Sequence, residues 1–229
     1  MSALATLKEL LSTKILAKFT DGNDDACKIF CNHKEITLEF SSNLLLHICE
    51  ILKTDKQLDF AMLLDVCGVD YLHYGKSEWQ TNSATTEGFS RAVVDTAMDV
   101  PHISKPQQRF AVVYHLLSLN KNHRIRLRTY ALGEPPTVDS VVAIWPGANW
   151  FEREAFDLFG IEFNNHPDLR RILTDYDFDG HPLRKDFPLE GRVERKYDAE
   201  KSEVVYQPVS IEPRVLVPKV IRDDSRYNE

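Results

Sequence analysis

The amino-acid sequence predicts an α+β protein: a mostly antiparallel sheet with helices on one face, followed by an extended C-terminal arm. Three observations carry this. Arg109–Leu119 and Arg124–Leu132 are strand-like runs joined by a polar turn, Asn120-Lys121-Asn122-His123, the pattern of a hairpin. Helical periodicity is confined to separate segments on either side of the strands, as in α+β folds. Finally, VVYQPVSIEPRVLVPKVIR sets Pro208, Pro213 and Pro218 among Val, Ile and Leu. Proline at that density excludes both helix and central strand, yet the segment is too apolar for a free linker, so it is expected to lie along a partner.

Taken in order, residues 3–18 are expected to form a helix, with Leu4, Leu7, Leu11 and Ile15 on one buried face. Asp21-Gly22-Asn23-Asp24 reads as a turn. Short strands follow around Lys28–Cys31 and Glu35–Phe40, joined by Asn32-His33-Lys34. Ser41 or Ser42 is placed to cap a helix whose apolar face is Leu45, Ile48 and Leu52. Phe60–Cys67 is apolar and short enough for a central strand. Residues 75–108 are polar, with prolines at 101 and 106, and read as an inserted surface loop without a reactive pair at usable spacing. In the hairpin, Arg124, Arg126 and Arg128 alternate with Ile125, Leu127 and Thr129, which places the guanidinium groups on one face. That face is either solvated or a basic surface for an acidic partner or RNA. Pro135-Pro136-Thr137 is expected to end the sheet and cap a helix over Val138–Ile144. The implied organisation is an α+β domain over 1–148, a charged junction over 149–188 and a partner-binding tail over 189–229.

Composition narrows the function classes. A chain of 229 residues with 43% hydrophobic content can bury one full core. No apolar run approaches the roughly 20 residues of a membrane span, and the N-terminus lacks the apolar stretch of a signal peptide, so a cytoplasmic location is the expectation. The net charge of −7 argues against nucleic-acid binding. Cys27, Cys31, Cys49 and Cys67 sit among apolar residues without a metal-site spacing and are expected to be buried free thiols.

The densest chemistry lies in Asn149–Pro188. Asn149 and Glu152 fit a capping arrangement at a helix start. Phe151, Ala155, Leu158 and Phe159 would form its apolar stripe, with Glu152, Arg153, Glu154 and Asp157 opposite and Arg153–Asp157 paired at i, i+4. Gly160 should end this helix, Ile161–Phe163 should be extended, and Pro167 suits a first helical position. Three chemistries compete. Glu154, Asp157 and His166 are residue types of an acid–base or metal-dependent hydrolase. His166 and His181 are metal-ligand types, but each precedes a proline and no His-x-x-x-His pair exists. In the third reading the carboxylates pair with Arg153, Arg170, Arg171, Arg184 and Lys185 in a partly buried network against a neighbour. On residue chemistry alone the interaction subunit leads.

The residues E-R-E-x-x-D-L-F-G-I at 152–161, H-P-D-L-R-R-I-L-T-D-Y at 166–176 and G-H-P-x-R-K-D-F-P at 180–188 resemble the C-subunit family of bacterial NADH-quinone oxidoreductase. This family corresponds to the mitochondrial thirty-kilodalton subunit of respiratory complex I. The hairpin, the segment SVVAIWPGANWFERE and the tail VVYQPVSIEPRVLVP are similar as well. The resemblance implies a non-catalytic subunit of a proton-translocating NADH:quinone oxidoreductase, on the cytoplasmic face of the inner membrane and held there through the complex. It implies no cofactor in this chain: FMN and iron–sulfur clusters belong to partner subunits, and NADH and quinone are substrates of the assembly. The implied partners are the large quinone-site subunit (the D-subunit) and neighbouring iron–sulfur subunits. Glu152, Arg153, Glu154, Asp157, His166, Arg170, Arg171, Asp175, His181, Arg184, Lys185 and Asp186 become signature and interface candidates, with Tyr206, Pro208, Pro213, Arg214 and Pro218 in the tail. One departure stands out. Asp177 stands where a Gly is expected in D-Y-G-F, so a turn that needs a positive φ is expected to be strained or slightly altered there, Asp tolerating that conformation better than most residues.

Overall fold

The computed structural model describes residues 3–19, 26–72, 74 and 108–211, with two short strands between them. The chain divides into two compact units, Met1–Tyr71 with Lys105–Phe187 and Leu72–Ser104 with Pro188–Glu229. The helices are α1 (Ala3–Leu11), α2 (Ala17–Phe19), α3 (Leu45–Thr54) and α4 (Ala148–Phe159), with a π-helical turn, Ser12–Leu16, joining the first two. The strands are β1 (Cys27–Asn32), β2 (Glu35–Phe40), β3 (Met62–Asp70), β4 (Ala84–Thr85), β5 (Gly88–Phe89), β6 (Phe110–Ser118) and β7 (His123–Ala131). They continue with β8 (Thr137–Asp139), β9 (Glu162–Asn164), β10 (Val193–Asp198) and β11 (Glu203–Pro208).

The first unit is built on a five-stranded sheet in the order β1-β2-β7-β6-β3. Every neighbour is antiparallel except β2 and β7, which run parallel. The register places Leu38, Leu127, Tyr114 and Val66 in one row across the sheet. That face is closed by Leu7, Leu11 and Ile15 of the N-terminal helix, Leu45, Ile48 and Leu52 of α3, and Ala155 of α4, all in one buried cluster. The helices therefore cover one face, as the alternation predicted. On the other face Arg126 donates to Thr37 Oγ1 at 2.9 Å and pairs with Glu35 at 3.4 Å, while Arg128 pairs with Glu39. Cross-strand carboxylates thus occupy two of the three arginines expected there.

Several expectations are corrected. Phe60–Cys67 is not a central strand: β3 is an outermost strand, and its apolar character is explained by α4 packing on it. At the contact, Gly68 lets the Phe159 ring approach so closely that a Cβ would stand 2.6 Å from Phe159 Cδ2. Val138–Ile144 is not a helix. Val138 pairs with Phe163 in the parallel β8–β9 ladder, and the following Val141 N–H is drawn to a side chain of α4. Ser41 precedes the helical turn Ser42–Leu44 but makes no side-chain cap, and no helix starts at Pro167. The Asp21–Asp24 turn lies outside the described residues, as does most of 75–108.

In the second unit, β4 and β5 pair antiparallel, and so do β10 and β11. The tail therefore opens as a hairpin and not as a simple extended arm. Pro208 ends its ladder, in keeping with proline's missing N–H. Of the tail candidates, Tyr206 is 53% exposed and Pro208 is exposed, whereas Pro213, Arg214 and Pro218 lie outside the described residues. Cys27 and Cys49 are buried, and burial raises both thiols, Cys27 to about 11. Cys31, contrary to expectation, is exposed on the outer strand β1, and Cys67 is half-buried.

Candidate functional site

The signature segment is organised around α4. Pro146-Gly147 turns the chain into this helix, and Gly160 ends it at φ +69°, a left-handed conformation that glycine adopts without a Cβ penalty. Asn149 sits in the first helical turn and is not a cap; its Oδ1 is buried with no hydrogen-bond partner among the described residues. Glu152 does not fold back on the helix start either. Its side chain is 0% exposed, and it accepts from Ser140 Oγ at 2.6 Å and from Val141 N–H at 2.8 Å. Burial pushes its carboxyl up to about 7, opposed by the Ser140 and Val141 donors.

His166 lies beside it. Nε2 donates to the Asn149 carbonyl at 3.3 Å and stands 3.9 Å from Glu152 Oε2, while Nδ1 accepts from the Asp168 N–H at 3.1 Å. These bonds assign a neutral imidazole protonated at Nε2. Burial, with Arg153 nearby, holds its pKa below the usual histidine value.

Asp157 is the hub. Oδ2 accepts from three successive backbone N–H groups, Ile172 at 3.0 Å, Leu173 at 2.7 Å and Thr174 at 2.9 Å. Oδ1 accepts from Arg171 Nη1 at 3.0 Å and from the Thr174 hydroxyl. Burial acts to raise this carboxyl, but the donors of Thr174, Leu173 and Ile172 outweigh it and hold the pKa at about 2. Arg171 extends the network to the Gly180 carbonyl at 3.0 Å. His181 Nδ1 donates to the Asp157 carbonyl at 2.8 Å, and burial lowers the pKa of this histidine too. The expected Arg153–Asp157 pair is absent: Arg153 lies over the Trp150 ring at 4.8 Å and donates to the Arg170 carbonyl at 3.4 Å.

The end of the segment returns to the sheet. Arg184 donates through Nε to the Phe159 carbonyl at 2.6 Å and through Nη2 to the Gly160 carbonyl at 3.3 Å, so a cation closes the negative end of α4. Asp70, at the end of β3, accepts both Arg109 Nε at 3.0 Å and Nη2 at 2.8 Å, and also the Lys185 N–H at 2.9 Å. Asp186 pairs with the same Arg109 at 3.0 Å. Glu154, Arg170, Asp175 and Lys185 are exposed, with Arg170 paired to Asp168 at 3.0 Å. Asp177 is exposed and does not take a positive φ, so of the two outcomes the turn is altered and not strained. The turn bonds Phe178 N–H to the Asp175 carbonyl, and Gly180 supplies the left-handed residue at φ +102°.

The structure does not bring the hydrolase residues together. Asp157 is saturated with donors, Glu154 faces solvent, and both His166 nitrogens are engaged within the fold. Glu152 and Asp157 are 0% exposed, so neither can touch a partner directly and their role is internal. Among the described residues no cluster of three or more His, Cys, Asp or Glu is arranged to hold a metal ion, and no helix is long and apolar enough to cross a membrane. Sequence reasoning missed Ser140, Thr174, Asp70 and Arg109. None of the four left a local signal, because each meets its partner across the fold.

Residues 38–193 match the family described as the respiratory-chain NADH dehydrogenase 30 Kd subunit. The NADH-quinone oxidoreductase C-subunit of Coxiella burnetii (strain RSA 493 / Nine Mile phase I) is 59% identical over 196 residues, covering 85% of each chain. The C-subunit of the Legionella pneumophila (strain Paris) enzyme is 54% identical over 193 residues, covering 84% of each. Among solved structures, the trypsin-resistant fragment (1–134) of Nqo5 aligns with a TM-score of 0.50 at 27% identity, over 71% of this chain and 98% of the fragment. A chain of the membrane-bound sulfane sulfur reductase, an archaeal respiratory membrane complex, shares the fold at 17% identity, with a TM-score of 0.51 over 78% of this chain and 86% of that one. With its donor-saturated Asp157, its buried Glu152 and the signature segment inside the matched region, the chain belongs to the family of the 30 Kd subunit of respiratory-chain NADH dehydrogenase.

Proposed function

We propose that the chain is a scaffold subunit of the peripheral arm of a proton-translocating NADH:quinone oxidoreductase, without chemistry of its own. One observation supports this beyond the family: Glu152, Asp157 and His166 of the signature are spent on folding the segment. Asp157 ties the 171–174 turn to α4, Glu152 ties α4 to Ser140 and Val141, and Arg184 closes the helix end. Beside exposed charges such as Glu154, Arg170 and Lys185, the segment also presents large apolar side chains to solvent, with Trp150 63%, Leu173 62%, Tyr176 85% and Leu183 47% exposed. Such side chains on a rigid frame suit contact with another protein.

In this reading the chain adjoins the large quinone-site subunit (the D-subunit) and neighbouring iron–sulfur subunits on the cytoplasmic side of the inner membrane, and associates with the membrane through them. FMN and iron–sulfur clusters reside in those partners, and electrons pass from NADH to quinone without entering this chain. A tagged full chain purified from its own membranes should bring down the other subunits together with NADH:quinone activity, and removal of residues 205–229 should abolish this. Recovery of the full chain alone, or with stoichiometric flavin or iron of its own, would overturn the proposal.

A further inference from the structure

Because β2 and β7 run parallel, the turns that lead into them lie side by side at one end of the sheet. The register Thr37–Arg126 sets Glu35 level with Arg124 and Lys34 level with His123. Between these turns and the N-terminal helix lies a cavity of about 610 Å³, floored by Leu4 and Leu7 and walled by His33, Lys34, His123 and Arg124. Its volume is in the range of small-molecule sites.

The β1–β2 turn is filled against its local preference. Asn32 pairs with Glu35, so the loop between the strands has two residues, and both are left-handed, His33 at φ +52° and Lys34 at φ +64°. Such a turn is ordinarily Asn-Gly or Asp-Gly, which take that backbone at little cost. Here two long polar side chains stand in it, and strained backbone of this kind marks positions where the side chain has work to do.

The charge of the cavity is positive and uncompensated. Lys34 and Arg124 are exposed, and among the described residues neither makes an ion pair. Arg124 is the third arginine of the outer face, the one that no cross-strand carboxylate takes up. Glu35, the carboxylate in the wall, is turned to Arg126 Nη1 at 3.4 Å. The imidazoles of His33 and His123 also make no side-chain hydrogen bond among the described residues, and each can offer an N–H donor. Phosphate presents three acceptor oxygens, which an ammonium, a guanidinium and an imidazole can meet together. The chain as a whole carries −7, which disfavours nucleic acid and anionic membrane. A small ion inside the cavity feels charges only within about 10 Å, so the local cations decide its binding.

We propose that this cavity binds a small soluble phosphate monoester, its phosphate held by Lys34 and Arg124 with the imidazoles as further donors and its organic part against Leu4 and Leu7. The site is separate from the signature segment and does not rest on the scaffold reading.

The test titrates the full chain, labelled for NMR, with adenosine monophosphate and with inorganic phosphate. Both should shift the amides of residues 33–35 and 122–124, adenosine monophosphate at the lower concentration and with added shifts at Leu4 and Leu7. Lys34→Gly is the decisive variant. Glycine suits the left-handed backbone, so this chain should unfold at or above the wild-type thermal midpoint. It should nevertheless bind about 10-fold more weakly, the worth of one charge-assisted contact. Arg124→Glu should weaken binding by a larger factor. Wild-type affinity in both variants overturns the site, as does failure of either probe to bind the wild-type chain at millimolar concentration. Equal affinity for the two probes overturns the monoester assignment, and shifts confined to other residues overturn the placement. Binding of the chain to RNA, or to vesicles of phosphatidylcholine with phosphatidylglycerol, that both variants abolish also overturns the proposal.

Discussion

Replacing Asp157 by Asn removes the charge that five donors converge upon. The carboxyl is held at about 2 instead of 3.8, a gap of roughly two pH units, equivalent to about 2.5 kcal/mol. Partial hydration of the half-buried loop reduces this to about 2 kcal/mol. Because the folded pKa is depressed, the stabilisation is fully present above pH 4 and is lost as pH falls towards 2. Asn also leaves Arg171 without a counter-charge and turns an amide towards backbone donors, so the full cost at neutral pH is about 3–5 kcal/mol. For a chain of this size that lowers the thermal midpoint by roughly 10 °C. The assay is urea denaturation of isolated wild-type and Asp157→Asn chains at pH 7, 5, 4 and 3, with amide exchange read at Ile172, Leu173 and Thr174. The difference should be constant from pH 7 to 5 and shrink below 4, and those amides should lose protection first. A loss under 1 kcal/mol, or a difference that ignores pH, would refute the hub.

Glu152 should behave in the opposite sense. Its folded pKa is raised to about 7, so wild type loses stability as pH rises from about 4 to 7, and Glu152→Gln should gain relative to it by about 1–3 kcal/mol between pH 5 and 8; parallel stability curves would contradict the assignment. Gly68→Ala places a methyl group against the Phe159 ring and should cost about 1–3 kcal/mol in urea denaturation by forcing α4 off β3. An unchanged midpoint would mean that the ring moves freely.

What could be read from the sequence was governed by local periodicity. The alternation Arg124-Ile125-Arg126-Leu127-Arg128 defined β7 because period two is a property of the strand itself, and Leu7, Leu11 and Ile15 marked the first helix for the same kind of reason. Gly160 was legible as a helix stop because a left-handed backbone after a helix is a local requirement that glycine meets. The failures in the signature helix involve partners distant in sequence. Glu152 has the spacing of a capping box with Asn149, yet its acceptors are filled by Ser140 and Val141, and the peptide N–H that does so is one a helix over Val138–Ile144 would have used elsewhere. The Arg153–Asp157 spacing is sound for an isolated helix, but one surface pair contributes only a few tenths of a kcal/mol. Three amides, a threonine and Arg171 outweigh it. The signature segment lies inside the matched residues 38–193, whereas its inward-facing charges required the fold to be seen.

The junction at Asp70 and Arg109 bears on how this chain tolerates change. The antiparallel β3–β6 ladder closes there, with the Tyr71 N–H bonded to the Arg109 carbonyl and the Asp70–Arg109 pair beside it. The sheet is therefore sealed at the base of the long connection between these strands. Each doubling of that connection's length adds only about 0.6 kcal/mol of closure entropy. The closure cost of the ladder therefore depends only weakly on the length of the connection, because the Tyr71–Arg109 bond and the Asp70–Arg109 pair fix both of its ends.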